Sequence, residues 1–115
     1  MILKSFSKIN LSLNVNGKFK KTGLHKIQSY FCLIDIFDEI KIKENNNKKD
    51  TIKFKGRFIK HLSNKDNSIT NTLKILRQNN LISKYYSVLV KKNIPVFAGL
   101  GGGTSNSACI IKHLL

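Results

Sequence analysis

An α+β domain, with a mostly antiparallel sheet covered on one face by helices, is the fold that three features of this 115-residue sequence predict. The first half alternates apolar and polar residues in strand-length runs. A single stretch near Asp66–Leu81 has helical spacing, and a glycine-rich segment near the end separates a strand-like run from a helix-like one. The element order is β-β-β-β-α-β-loop-α, without internal repeat or linker.

The first strand covers Lys8 to Val15, where Ile9, Leu11, Leu13 and Val15 alternate with Asn10, Ser12 and Asn14. That period predicts one half-buried apolar face. Asn16-Gly17 predicts a hairpin-type turn, and a polar loop runs on to Gly23. Two further strands are expected over His25–Ile34 and Ile36–Lys43, with a short break between them. The Asn- and Lys-rich run Glu44–Asp50 reads as a turn, and Thr51–Phe58 as a strand with Ile52 and Phe54 inward. Asp66 or Ser68 can cap a helix over Asp66–Leu81 whose apolar face holds Ile69, Leu73, Leu76 and Leu81. Tyr85–Lys92 is the last strand, and Ala108–Leu115 carries apolar residues at helical spacing behind the N-cap types Thr104, Ser105 and Asn106.

Length and 41% hydrophobic residues fit one small globular domain. The sequence stops on Ile110, Ile111, Leu114 and Leu115 with no C-cap, which predicts the front part of a longer protein. The formal charge of +15 would suit a polyanionic partner. Yet only Arg57 and Arg77 are arginine, and the lysines are scattered among Asn and Ile, the pattern of a compositional bias at solvated positions. Cys32 and Cys109 stand in apolar surroundings and in no metal-binding spacing, so both are expected as reduced core residues. No signal-peptide pattern and no membrane-length apolar run is present, so a cytoplasmic protein with no membrane partner is expected.

The chemistry concentrates in Ile94–Ala108. Gly99, Gly101, Gly102 and Gly103 strip away side chains that would keep a ligand from the backbone. The loop feeds a helix N-terminus, whose free N–H groups and positive dipole end attract phosphate. Neither a Walker Gly-Lys-Ser/Thr nor a G-x-G-x-x-G register fits.

Three stretches then carry a resemblance. They are Ser7-Lys8-Ile9-Asn10-Leu11-Ser12-Leu13; Gly23-Leu24-His25 with the acidic run Leu33–Ile40; and the glycine loop Pro95–Ala108. In that order and at these separations they resemble the GHMP kinases, the superfamily of galactokinase, homoserine kinase, mevalonate kinase and phosphomevalonate kinase. The resemblance implies that 1–115 is the N-terminal part of an ATP-binding domain, with the rest of that domain and a C-terminal domain beyond it. It implies ATP and Mg²⁺ as cofactors, a small-molecule alcohol as substrate and no specific nucleic acid.

By the same resemblance, Pro95, Val96, Phe97, Ala98, Gly99, Leu100, Gly101, Gly102, Gly103, Thr104 and Ser105 bind ATP. Thr104 and Ser105 offer hydroxyls to phosphate or Mg²⁺, or simply cap the helix. Lys8 matches the catalytic lysine; by spacing alone it is one more solvated Lys. Asn10 neighbours the acceptor or is an outward polar position, and His25 matches a cytosine-recognising histidine. Asn67 lies on the adenine side or caps the first helix, with equal weight. Leu24 stands where the family usually has Tyr, Phe97-Ala98 where many members have glycines, Thr104 for a common Ser and Ser107 for a common Ala. The family's catalytic aspartate follows the glycine-loop helix, after Leu115, so the chain alone is expected to be inactive. The rival expectations are another GHMP kinase, of homoserine or mevalonate type, and a basic nucleic-acid-binding domain.

Overall fold

The computed structural model describes residues 2–18, 20–59, 62, 67–95 and 102–115. Its elements are β1 (Leu3–Lys18), β2 (His25–Asn45), β3 (Thr51–Gly56), α1 (Ser68–Gln78), β4 (Tyr85–Lys92) and α2 (Gly102–Leu114). They form one four-stranded sheet in the order β1-β2-β4-β3. β1 and β4 pair antiparallel with β2, while β3 and β4 are parallel, joined by α1 as their crossover. The predicted α+β class with a mainly antiparallel sheet is what the chain adopts.

The helices cover one face of the sheet. Ile69, Leu73 and Leu76 of α1 and Ile110 of α2 pack on Ile40, Ile52, Val88 and Val90, all buried. The opposite face displays the exposed lysines Lys41, Lys43, Lys53, Lys55 and Lys91. A hollow of about 570 Å³ opens there beside Ile2, Lys41, Lys43, Thr51, Lys53 and Leu89, and none of the sequence-predicted site residues lines it.

Several boundaries differ from expectation, each for a local reason. The two strands predicted over His25–Ile34 and Ile36–Lys43 are a single strand, β2. The register passes from Phe6↔Phe37 to Ser7↔Ile34, so Asp35 and Ile36 form a bulge. Ser7 Oγ donates to the Ile36 carbonyl at 2.7 Å and fastens it. The break in the sequence pattern was therefore a kink within a continuous ladder. The hairpin turn falls at residues 20–22 with Gly23 at φ 70°, later than Asn16-Gly17, because pairing continues to Lys18↔His25. Leu81, expected on the helix face, is exposed. The helix ends earlier, with Asn80 at φ 58° and Leu81 N–H donating to the Leu76 carbonyl, a left-handed C-terminal stop.

The largest correction concerns burial on β1. Ile9, Leu11 and Val15, expected on one half-buried face, are exposed, Leu11 at 70%. A second register shift, from Asn10↔Phe31 to Ser12↔Tyr30, leaves Leu11 as an extra residue and breaks the alternation. Beyond Ser7 the β1–β2 pair also projects as a two-stranded ribbon, on which Tyr30, Phe31 and Leu33 are exposed too. Cys32 lies on this ribbon and is exposed rather than a core residue, whereas Cys109 is half-buried; both are free thiols.

Asp50 ties the far end together. Its carboxylate pairs with Arg77 at the end of α1 and accepts from the Tyr86 N–H at 2.9 Å, while the Arg77 guanidinium stacks 4.2 Å from the Tyr85 ring centre.

Iodoacetamide at neutral pH should alkylate Cys32 before Cys109, because burial pushes the Cys109 thiol above its ordinary range despite the opposing charge of Lys112. Cys109 should catch up only as the pH is raised; peptide mass spectrometry showing Cys109 modified first would contradict this placement. Gly56 stands at φ 107°, and a Cβ there would lie 2.6 Å from the Lys92 carbonyl oxygen. Gly56→Ala should lower the stability read from urea unfolding by about 1–3 kcal/mol.

Candidate functional site

The site is built where β4 leaves the sheet. On the inward face of β2, Asp38 continues the period of Ile40 and Ile42; on β4, Lys92 continues that of Val88 and Val90. These two charged side chains are thus carried into the interior, Asp38 fully buried and Lys92 only 4% exposed. Lys92 Nζ donates to Asp38 Oδ2 at 2.5 Å. Asp38 Oδ1 accepts from the backbone N–H groups of Asn93 at 2.7 Å and Ile94 at 2.9 Å. Asn93 Nδ2 adds a bond to the Phe37 carbonyl at 3.0 Å. Removing one member of such a pair would leave the other charged and buried, at a cost of about 3–5 kcal/mol.

The glycine-rich loop hangs from this turn. Pro95, Gly102, Gly103, Thr104 and Ser105 are described, whereas Val96, Phe97, Ala98, Gly99, Leu100 and Gly101 lie outside the described residues. Its two ends meet, for Ile94 is buried and a Cβ added to Gly102 would stand 3.1 Å from Ile94 Cγ2. A side chain at Gly102 would have to displace Ile94 at the loop's mouth.

Helix α2 begins at Gly102, not near Ala108, so Thr104, Ser105 and Asn106 lie inside its first turns and none is the N-cap. Its start is held from two sides. Ser5 Oγ donates to Ser105 Oγ at 2.9 Å. Ser68 Oγ donates to the Gly103 carbonyl at 3.2 Å, and Ser107 Oγ to the Ser68 carbonyl at 3.3 Å. The N-termini of α1 and α2 therefore converge beside the loop. Neither first turn contains an acidic residue, so two positive dipole ends face one region. Helix N-termini of this kind attract anions such as phosphate. Thr104 has an exposed hydroxyl, whereas that of Ser105 already accepts from Ser5. Among the described residues no cluster of three His, Cys, Asp or Glu side chains could hold a metal by itself.

Asn67 is the N-cap of α1, its Oδ1 accepting from the Thr70 N–H at 2.8 Å, which places it next to the start of α2. Lys8 lies on β1 three residues beyond Ser5, about 10 Å along the strand and on the alternate side. Cys109 Sγ approaches the Lys4 carbonyl while Ser105 meets Ser5, so α2 runs against β1 with its N-terminal end pointing toward Ser7 and Lys8. The Lys8 ammonium sits 5.9 Å from the Phe31 ring centre. Asn10 is its neighbour on the ribbon, accepting from Ser29 Oγ at 3.4 Å. His25 is not brought to them: it pairs with Lys18 at the far end of the ribbon, eight residues along β2 from the partner of Lys8, or roughly 26 Å of strand.

Sequence reasoning passed over Asp38, Lys92 and Asn106. An acid and a base in phase with inward Ile and Val residues were the available signal for the first two. Asn106 is one helical turn before Ile110 and buried with it; its Oδ1 has no partner among the described residues.

No family model matches the chain. Individual relatives do. The chain is 45% identical to the 4-diphosphocytidyl-2-C-methyl-D-erythritol kinase of Pelagibacter ubique over 98% of its own length and 40% of that protein's. It is 39% identical to the enzyme of the same name from Clostridioides difficile, over 97% of its own length and 37% of the relative's. Among solved structures, a 4-(cytidine 5'-diphospho)-2C-methyl-D-erythritol kinase superposes with a TM-score of 0.73 at 23% identity, covering 99% of this chain and 39% of the other. Homoserine kinase from Cytophaga hutchinsonii follows at TM-score 0.63 and 16% identity, over 98% of this chain and 35% of that one. The chain thus spans about two fifths of the curated relatives it matches. The described ends of the glycine segment meet beside two converging helix N-termini, and along nearly all of its length the chain is similar to 4-diphosphocytidyl-2-C-methyl-D-erythritol kinases and shares the fold of the solved one.

Proposed function

We propose that this chain is the N-terminal part of a cytoplasmic, ATP- and Mg²⁺-dependent kinase. Its substrate would be 4-diphosphocytidyl-2-C-methyl-D-erythritol, phosphorylated on its 2-hydroxyl in non-mevalonate isoprenoid biosynthesis. The observation that carries this reading is the 45% identity to a kinase of that name across 98% of the chain. Among the described residues no helix is long and apolar enough to cross a membrane.

MgATP supplies the phosphoryl group, and the chain's part is binding and alignment. Backbone N–H groups of Gly102 and Gly103 would receive the phosphates, aided by the Thr104 hydroxyl, and Pro95 through Gly101 would bind ATP with them. Asn67, beside the start of α2, marks the adenine side. Lys8 lies farther along β1, on the side of the strand opposite Ser5, and its ammonium would neutralise charge developing on the transferring group. Asn10 orients the acceptor hydroxyl from the same ribbon. His25 at the ribbon's far end reads the cytosine edge, which requires the acceptor to lie extended along the ribbon; exposed Tyr30 and Phe31 lie on that path. The base that takes the acceptor proton belongs to the part of the family's length that this chain does not span.

In the full-length protein, Lys8→Met should lower kcat by at least 100-fold while leaving MgADP affinity within about threefold, measured by coupled assay and calorimetry. Unchanged turnover would remove Lys8 from the chemistry. The purified 115-residue chain should show no Lys8-dependent ATP turnover; finding it would show that the catalytic set is complete within these residues.

A further inference from the structure

We infer that Asp38 is a positioning residue for nucleotide binding, acting through the backbone of the turn from which the glycine loop hangs. The inference rests on the kinase reading above and deepens it. Among the described residues, Asp38 bonds to none of those predicted to bind phosphate. Its carboxylate instead gathers three donors at the last fixed point before the loop: Lys92 Nζ at 2.5 Å, Asn93 N–H at 2.7 Å and Ile94 N–H at 2.9 Å.

The reason a carboxylate is needed is steric and electrostatic together. β4 parts from the sheet after Lys92, so the next two N–H groups have no strand opposite them, and Ile94 is buried. Unpaired amides there would be costly. A carboxylate oxygen accepts both, and its charge is balanced by a lysine whose own buried position is otherwise unexplained. Because a buried ion pair adds little net stability over an apolar pair, its presence points to geometry. The geometry it holds is specific. Ile94 rests against Gly102, where there is no room for a Cβ without displacement, and a Cβ on Gly56 would stand 2.6 Å from the Lys92 carbonyl oxygen. The two described ends of the loop, at Ile94 and Gly102, are thereby held together. A released turn would have to be ordered again by the ligand, which lowers affinity for the polyphosphate without reaching the acceptor's ribbon.

The test compares full-length wild type, D38L/K92M and D38N/K92M. Thermal unfolding, MgADP binding by calorimetry and binding of the cytidine-bearing acceptor are measured on each. D38L/K92M removes both charges and the acceptor for the two amides. It should unfold cooperatively, bind MgADP at least tenfold more weakly, and bind the acceptor within threefold of wild type. D38N/K92M keeps a side-chain oxygen for the amides and should recover MgADP binding to within threefold. If the leucine variant does not fold, D38A/K92M, which also lacks a side-chain acceptor, carries the same expectation. The inference is overturned if the variant lacking the amide acceptor binds MgADP like wild type, if both ligands weaken together, if D38N/K92M recovers nothing, or if neither D38L/K92M nor D38A/K92M folds. A wild-type protein that binds no MgADP overturns the kinase reading itself.

Discussion

Backbone amides that leave a sheet inside a protein need an acceptor, and much of this structure is an answer to that need. At the end of β4 the chain must turn from a ladder into a loop while still buried. Asp38 supplies the acceptor, Lys92 the countercharge, Gly56 the space and Ile94 the apolar plug against Gly102. Each belongs to a different stage of the chain, on β2, β4, β3 and the loop's approach. The loop's place is therefore set by the whole sheet. Serine hydroxyls then dock the following helix onto β1 and α1, which brings two helix N-termini to one spot.

Much of this was legible in the sequence. β4 matches its predicted span, α1 shows the predicted buried face of Ile69, Leu73 and Leu76, and Ile52 of β3 points inward. Those segments pack against partners inside this chain, so period and burial agree. β1 misled because period alone cannot say what covers a face. Its apolar residues alternate as a half-buried strand should, yet Ile9, Leu11 and Val15 stand exposed on a ribbon that none of the described elements covers, and a bulge at Leu11 divides them. The bulge at Asp35 was likewise visible only as a gap in alternation.

The candidate site divides along the same line. The glycine segment and its helix announced themselves by composition, and Asn67 took the capping geometry that its residue type favours. Lys8 and Asn10 share the ribbon through strand alternation, and His25 is remote from both because the hairpin is long. Asp38 and Lys92 stayed hidden because each sits on its own strand as a single charged residue in an apolar series. Only pairing of β2 with β4 joins them. Long-range register, which one-dimensional pattern does not contain, decided what local spacing could not.

The strand order also determines which edges a second copy could pair with. β3 and β1 are the outer strands. β3 is six residues long, carries exposed Lys53 and Lys55, and ends on a glycine in a conformation no extended strand continues. β1 is long, but three irregularities in its ladder twist it away from the flat outline that edge-to-edge addition requires. The β1 and β3 rims thus resist strand addition, and among the described residues the edge of β2 that β4 does not reach, from His25 to Asp38, is where an added strand could join.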